Sequence, residues 1–186
     1  MEIINKDYVI RNVVNEWLMG KEIYIPFIEE MDILSCIIDT AISEGVSLDR
    51  MPLKSIYIRV PTEKKARRLS YIFYLKYNRT GNINVSIGHF LTPTHKKFDI
   101  IFFNPPFYKY YQVNFPGLKT LLRQYDVIRP YTKESDIYEK DLSDFYVKYF
   151  HKKMLKNDGI LVFKRGSNNQ NALYFIVRKE RKETFI

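Results

Sequence analysis

The chain has 186 residues, of which 46% are hydrophobic and 27% charged, and its formal net charge is +9. This composition is that of a folded globular protein, and no apolar run approaches the ~20 residues that a membrane-spanning helix needs. Its single cysteine, Cys36, excludes an internal disulfide and a cysteine-rich metal site in this sequence.

The length predicts one domain over residues 1–186, because a chain of this size buries a sizeable core without dividing. The first twelve residues, MEIINKDYVIRN, carry charges where a signal peptide needs an apolar segment. We therefore expect an intracellular, cytoplasmic protein that does not enter a membrane.

Basic residues are clustered along the chain. Residues 1–50 hold 4 basic and 10 acidic side chains, whereas residues 59–79 hold 7 and 1, and residues 148–186 hold 10 and 3. Clustered lysines and arginines are typical of proteins that bind a polyanion such as nucleic acid. The same clusters are equally compatible with the solvated faces of helices.

Helical and strand patterns alternate along the chain. In chain order they predict a helix at 7–19, a strand at 22–27, a helix at 32–45, a strand at 55–60, a helix at 63–78 capped by Thr62, strands at 82–90 and 98–103, a helix at 142–159 that ends at Gly159, and strands at 160–165 and 172–180. This alternation is typical of an α/β domain with a mostly parallel sheet between helix layers. The last two strands have no helix between them, which predicts an antiparallel pair.

The strand FDIIFF (98–103) runs directly into Asn104, Pro105, Pro106 and Phe107. The two prolines fix an extended backbone and remove two N–H donors. What remains is an acceptor-rich edge, formed by the Asn104 side-chain oxygen and the Pro105 carbonyl, beside the aromatic face of Phe107. Two acceptors and a stacking plane suit a planar group that carries an NH₂, such as the exocyclic amine of a nucleobase.

At these residues the chain resembles the S-adenosylmethionine-dependent amino methyltransferases, above all the N6-adenine type, whose motif is Asn/Asp-Pro-Pro followed by an aromatic residue. HKKMLKNDGILVF (151–163) is also similar to the helix, turn and strand that follow that motif. The resemblance implies a three-layer Rossmann-like methyltransferase fold, with a cofactor half over 1–97 and an acceptor half over 98–186. It also implies S-adenosylmethionine as cofactor and an extruded base as substrate. The acceptor site would comprise Asn104, Pro105, Pro106 and Phe107.

The cofactor half departs from the family pattern in three places. The loop after the first strand, PFIEEMD (26–32), has no glycine, Arg59 stands where the family has an acidic residue, and His89 stands where it has an aspartate. Carboxylates in that loop would balance the sulfonium and ammonium charges of the cofactor, or they are simply the solvated start of a helix. The residues predicted to contact the cofactor are Glu29, Glu30, Asp32, Arg59 and His89.

The segment 107–140 is long for a connection in a compact domain, and such loops are often functional. Its tyrosines alternate with lysines, a composition suited to unpaired bases or to an apolar cap over the sheet edge. Together with the basic helix it gives the predicted nucleic-acid-binding residues: Lys64, Lys65, Arg67, Arg68, Tyr108, Lys109, Tyr110 and Tyr111.

Two classes of function stay open at this point. One is methyl transfer to a nucleobase amine, most simply adenine N6 in DNA or RNA. The other is a catalytically inactive relative that binds nucleic acid or serves as a partner subunit. A protein or small-molecule amine as substrate is a weaker alternative, because the positive charge favours nucleic acid. The three histidines show no metal-ligand spacing, so no metal site is predicted.

Overall fold

The computed structural model describes residues 2–26, 32–78, 82–88, 90, 95–103, 120, 123, 143–165 and 173–180. Eleven helices and strands, together with two 3₁₀ turns at 48–50 and 53–55, make up the described fold. In chain order they are β1 (Glu2–Ile4), α1 (Lys6–Leu18), β2 (Ile23–Ile25), α2 (Asp32–Ser43), β3 (Ile56–Val60), α3 (Glu63–Tyr77), β4 (Asn84–Ile87), β5 (Phe98–Phe103), α4 (Ser143–Lys153), β6 (Leu155–Arg165) and β7 (Leu173–Arg178).

The strands form one sheet in the order β1-β7-β6-β5-β2-β3-β4. The strands β2 to β6 are parallel to one another. β7 runs antiparallel to β6, which confirms the predicted C-terminal pair, and β1 pairs antiparallel with β7 at the edge.

Strand alternation places two apolar cores on the two faces of the sheet. On the first face, α1, α2 and α3 bury side chains such as Trp17, Ile37 and Phe73 against Ile58 and Ile100. On the second face, α4 packs its aromatic side chains over β5 and β6. These layers confirm the predicted three-layer α/β architecture with a mostly parallel sheet.

Local capping explains where the first helices begin and end. The Thr62 side chain accepts a hydrogen bond of 3.3 Å from the backbone N–H of Lys65, so Thr62 is the N-cap of α3, as predicted. Gly20 and Gly45, just beyond α1 and α2, have φ of +96° and +88°, which favours glycine over any residue with a Cβ.

The prediction that a helix runs over 142–159 and ends at Gly159 is wrong. α4 ends at Lys153 and β6 begins at Leu155, so Gly159 lies inside the strand. The pairing of β5 with β6 shifts register between Phe98 and Ile100, and the extra β6 residues include Asp158 with φ of +65°. The turn-forming residues before Gly159 therefore make an irregularity within the strand. The short strand β1 was also not predicted from the sequence.

Candidate functional site

The carboxyl ends of β2 and β5 define the candidate site. These strands are parallel neighbours at the centre of the sheet, with Tyr24 opposite Ile101. From β2 the sheet continues through β3 to β4 on one side, and from β5 through β6 to β7 on the other. A crevice at such a reversal of strand order is where open α/β sheets bind ligands. The last strand residues at this edge are Ile25 and Phe103.

The end of β5 is held by aromatic packing. The Phe103 ring is fully buried, and its centroid lies 4.8 Å from that of Phe150 and 5.4 Å from that of Tyr146, both on α4. Both contacts are edge-on, a favourable arrangement for aromatic rings. The chain therefore leaves β5 towards residue 104 from a fixed position.

The segment after β4 also reaches the end of β5. The Gly88 N–H donates to the carbonyl of Val60 at the end of β3, at 2.9 Å, and the buried Phe90 ring lies 5.8 Å from Phe103. Predicted site residue His89 lies outside the described residues. The two residues that flank it contact the carboxyl ends of β3 and β5.

Arg59 is the predicted cofactor residue whose contacts the structure describes. It is the penultimate residue of β3, half-buried, and its Nε donates to the Ser86 hydroxyl on β4 at 3.3 Å. Ser86 lies directly opposite Arg59 in the strand register. The guanidinium is thus anchored on the second face of the sheet, close to its carboxyl edge. As a donor and a cation, it suits acceptor oxygens rather than the cationic groups of a ligand.

Tyr24 is a second polar group on this face that the sequence predictions missed. Its side chain is 2% exposed and its ring stacks on Phe98 at 4.6 Å. No described residue forms a hydrogen bond with its hydroxyl. Burial raises the pKa of Tyr24 to about 12, with the Arg59 charge acting in the opposite direction. The alternation in EIYIPF already sets Tyr24 opposite its isoleucine neighbours, which is the signal that would have placed it on the second face.

The basic residues of α3 divide into two groups. Lys64, Arg67 and Arg68 are exposed, whereas Lys65 is half-buried. At about 100° per residue, Lys64, Arg67 and Arg68 together span about 100° around the helix axis, and Lys65 lies about 60° beyond Arg68, towards the buried Leu69. Three of the four predicted cations therefore share one face.

Of the remaining predicted site residues, one begins α2 and the others lie outside the described part of the chain. Asp32 begins α2, but its side chain is not among those described. The following lie outside the described residues: Glu29, Glu30, His89, Asn104, Pro105, Pro106, Phe107, Tyr108, Lys109, Tyr110 and Tyr111. Among the described residues, no three histidine, cysteine, aspartate or glutamate side chains lie close enough together to hold a metal ion.

Comparison with solved structures identifies the fold. A “putative methylase” from Haemophilus influenzae aligns with 94% of this chain over 98% of its own length, at 13% sequence identity and a TM-score of 0.52. A “putative methyltransferase” from Escherichia coli aligns with 98% of the chain over 92% of its length, at 11% identity and a TM-score of 0.50. The fold is that of a Rossmann-like methyltransferase.

A larger protein shares this methyltransferase fold. A “putative class I S-adenosylmethionine-dependent methyltransferase” from Listeria monocytogenes aligns with 98% of the chain at 10% identity and a TM-score of 0.56, and the chain spans 64% of its length. At these identities the likeness concerns the fold. No family model and no curated protein matches the sequence. None of the helices in the described part of the chain has the length and apolarity that a bilayer crossing requires.

Proposed function

We propose that this protein transfers a methyl group from S-adenosylmethionine to an exocyclic amine of a nucleobase, most simply N6 of adenine in DNA or RNA. The observation that carries the proposal is the position of β5. This strand ends at Phe103, beside β2 and at the point where the strand order reverses. The Asn-Pro-Pro-Phe motif begins at the next residue. An amine-binding motif thus follows directly from the edge where this class of sheet binds ligands.

The motif supplies acceptors and no strong base, which fits a reaction that needs positioning above all. The Asn104 side-chain oxygen and the Pro105 carbonyl would each accept a hydrogen bond from the target NH₂. Phe107 would stack on the base, and Pro106 would keep the backbone extended. The amine nitrogen would then direct its lone pair at the methyl carbon of the cofactor. The N–C bond would form as the C–S bond breaks, its electron pair would return to sulfur in the demethylated product, and the nitrogen would release a proton to water. Proximity and orientation supply most of the rate enhancement in such a step.

S-adenosylmethionine would supply an electrophilic methyl group when bound at the end of β2. Glu29, Glu30 and Asp32 follow β2 in the sequence and would balance the positive charges of the cofactor. Arg59 fits the oxygen atoms of the cofactor, because its guanidinium is a donor anchored by Ser86 near this edge. His89 follows β4 and is flanked by residues that contact β3 and β5. Arg59, whose position the structure describes, is therefore compatible with the carboxylate and hydroxyl oxygens of the ligand.

A nucleic acid is the substrate class that the charge favours. The net charge of +9 is concentrated in two segments, and three exposed cations share one face of α3. A basic surface accounts for affinity to the phosphate backbone. An amine within a paired duplex is out of reach, so the target base would have to be unpaired or extruded.

Calorimetric titration with S-adenosylmethionine and with its demethylated product is the first test. We expect binding in the micromolar range, on the order of 8 kcal/mol. Methyl-transfer assays on single-stranded and duplex DNA and RNA then identify the substrate. Asn104→Ala should lower transfer by at least 100-fold with an unchanged unfolding transition. Asn15→Ala, at an exposed position on α1, is the matched control and should retain full activity.

The second candidate function is that of a catalytically inactive relative that binds nucleic acid or serves as a partner subunit. It is favoured by Arg59, which stands where the resembled family has an acidic residue and which donates a hydrogen bond to Ser86. Absence of cofactor binding at millimolar concentration would contradict the enzymatic proposal and favour this candidate. Full transfer activity in Asn104→Ala would instead contradict the assignment of the acceptor site.

A further inference from the structure

An exposed row of side chains on α3 combines cations with aromatic rings. We define the α3 stripe as the six residues Lys64, Arg67, Arg68, Tyr71, Tyr74 and Leu75. Successive members are one or three positions apart, and all six fall within an arc of about 120° around the helix axis. The exposed fractions are 62% for Tyr71, 46% for Tyr74 and 62% for Leu75. Exposed tyrosines and leucine in consecutive turns form a continuous patch rather than isolated surface residues.

The stripe lies opposite the face that anchors α3 to the domain. Leu69 and Phe73 are buried in the first core, and the centre of that buried face is about 180° from the centre of the stripe. The helix is capped by Thr62 at its start and by Asn78, in the left-handed conformation, at its end. The six side chains therefore project from a rigid element and contribute little to the core.

The cations and the rings occupy different parts of the stripe. α3 begins three residues after β3 ends, so its first turns lie at the carboxyl edge of the sheet. Lys64, Arg67 and Arg68 lie towards this edge, and Tyr71 and Tyr74 lie farther along the helix. The basic end of the stripe is thus the end nearer the candidate site.

Positive charge prevails along the stripe. Arg67 pairs with Glu63 at 2.6 Å, but both side chains are highly exposed, and such a pair is easily exchanged for a stronger partner. Lys76, which lies outside the stripe, is held by Asp39 on α2 at 2.7 Å. No described acidic side chain forms a salt bridge with Lys64 or Arg68. A polyanion matches this balance of charge.

We propose that the α3 stripe binds single-stranded nucleic acid, with Lys64 and Arg68 on phosphates and Tyr71 and Tyr74 as stacking surfaces for bases. This inference rests on the proposed function, since it names the surface that carries the substrate to the site. The distance along the helix from Lys64 to Leu75 is ~16 Å, enough for about three nucleotides. Exposed rings hold unpaired bases, whose faces are free, whereas the bases of a duplex are already stacked on each other. The stripe would therefore distinguish single strands from duplexes, and not one base sequence from another.

Fluorescence anisotropy with a labelled single strand and with the matching duplex, each titrated over a range of salt concentrations, tests the stripe. The double variant Tyr71→Ala/Tyr74→Ala should weaken single-strand binding by at least tenfold and leave duplex binding within twofold. Alanine favours helix more than tyrosine does, so α3 is retained. Tyr71→Phe/Tyr74→Phe should bind as the wild type, because stacking needs the ring and not the hydroxyl. Tyr8→Ala, at a 59% exposed tyrosine of α1, is the matched control and should change nothing.

The cations give a separate readout. Lys64→Glu/Arg68→Glu should reduce the slope of log K against log salt by about 1.4, the value for two lost phosphate contacts on a single strand. The tyrosine variants should leave that slope unchanged. Glu63→Gln, which releases Arg67, should tighten binding about twofold.

Two results would overturn the inference. One is unchanged single-strand affinity in Tyr71→Ala/Tyr74→Ala. The other is a shift of that variant from dimer to monomer in sedimentation velocity, which would assign the stripe to a contact between two copies of the chain. The experiments distinguish an error in the assignment of the α3 stripe from an error in the proposed methyl transfer. Asn104→Ala should lose methyl transfer and keep strand binding, whereas the tyrosine variants should keep cofactor binding and lose strand affinity.

Discussion

The rings of Phe90 and Phe103 stack with their centroids 5.8 Å apart and join the segment after β4 to the end of β5. Both side chains are almost completely buried. The contact links two chain segments that the sequence predictions assigned separately to the cofactor half and the acceptor half. Packing at this point fixes their separation, which the proposed methyl transfer would need to within about 1 Å.

Removal of the Phe90 ring should therefore destabilise the folded protein. Phe90→Ala is expected to lower the free energy of unfolding by about 3–5 kcal/mol, because it leaves a cavity between Phe103 and Tyr146. Denaturant unfolding monitored by circular dichroism measures the change. Met19→Ala, at a side chain that is 78% exposed, is the control and should stay within ~0.5 kcal/mol of the wild type. Equal stability of the two variants would show that Phe90 is not part of the core.

Gly159 should not tolerate a side chain. An added Cβ would lie 2.8 Å from the carbonyl oxygen of Lys156 and 2.9 Å from that of Asp99. Gly159→Ala is thus expected to cost about 1–3 kcal/mol through overpacking, measured by thermal unfolding.

Gly45 provides the contrast with Gly159. It has open space around it but φ of +88°, so Gly45→Ala should cost about 1 kcal/mol through backbone strain alone. Asparagine tolerates the left-handed conformation, so Gly45→Asn should lose less free energy of unfolding than Gly45→Ala. Gly159→Asn, in contrast, should lose more than Gly159→Ala. A Gly159→Asn variant more stable than Gly159→Ala would contradict the explanation by packing.

Tyr24 should make stability depend on pH in the alkaline range. Burial raises its pKa from 10.0 to about 12 in the folded protein, so the unfolded chain loses this proton first as the pH rises. The contribution to stability is complete below pH 10 and is lost between pH 10 and pH 12. At about 1.4 kcal/mol per pKa unit, it amounts to roughly 2–3 kcal/mol.

Tyr24→Phe isolates this effect, because it removes the ionisable hydroxyl of Tyr24 and keeps its ring. The variant should match or exceed the wild type in stability at pH 7, since it removes a buried hydroxyl with no hydrogen-bond partner among the described residues. From pH 10 to pH 12 its free energy of unfolding should fall less steeply than that of the wild type. Parallel curves over this range would mean that Tyr24 ionises as freely in the folded state as in the unfolded state.

Asp99 should hold the amino end of β5 against β2 and β6. Its Oδ2 accepts hydrogen bonds from the Glu22 backbone N–H at 3.0 Å and from Lys156 Nζ at 3.2 Å. Asp99→Ala should therefore lower the free energy of unfolding by about 1–2 kcal/mol in chemical denaturation. Glu16→Ala removes a partly exposed carboxylate of α1 that pairs with Lys21, three residues beyond the helix, and should have almost no effect. An equal change in the free energy of unfolding for both variants would mean that the Asp99 contacts contribute no more than an exposed ion pair.

The sequence predicted those elements whose limits depend on neighbouring residues. The strand 98–103 has the predicted bounds, and α3 differs from its prediction by one residue. In both cases the limits come from local chemistry: prolines follow the strand, and a threonine caps the helix. The antiparallel C-terminal pair was also predicted, because the absence of an intervening helix leaves a hairpin-like connection.

The bounds of the last helix could not be obtained in this way. Residues 154–159 continue as helix or begin a strand according to the backbone partners available to them. Phe98 N–H binds the Met154 carbonyl at 2.8 Å, and Asp158 N–H binds the Lys179 carbonyl at 2.7 Å. These partners lie more than twenty residues away in either direction. No local pattern encodes such contacts.

By itself, the sequence determined the alternation of strands and helices, the strand that leads into Asn104, and the spacing of cations and tyrosines along α3. These features follow from side-chain periodicity, capping and the restricted backbone of proline, which act over a few residues. Only the tertiary structure decided that Tyr24 stacks on Phe98, that Phe90 reaches Phe103, and that Arg59 forms a hydrogen bond with Ser86. Each of these depends on the order in which distant strands pair, and that order is set by the burial of apolar surface over the whole domain.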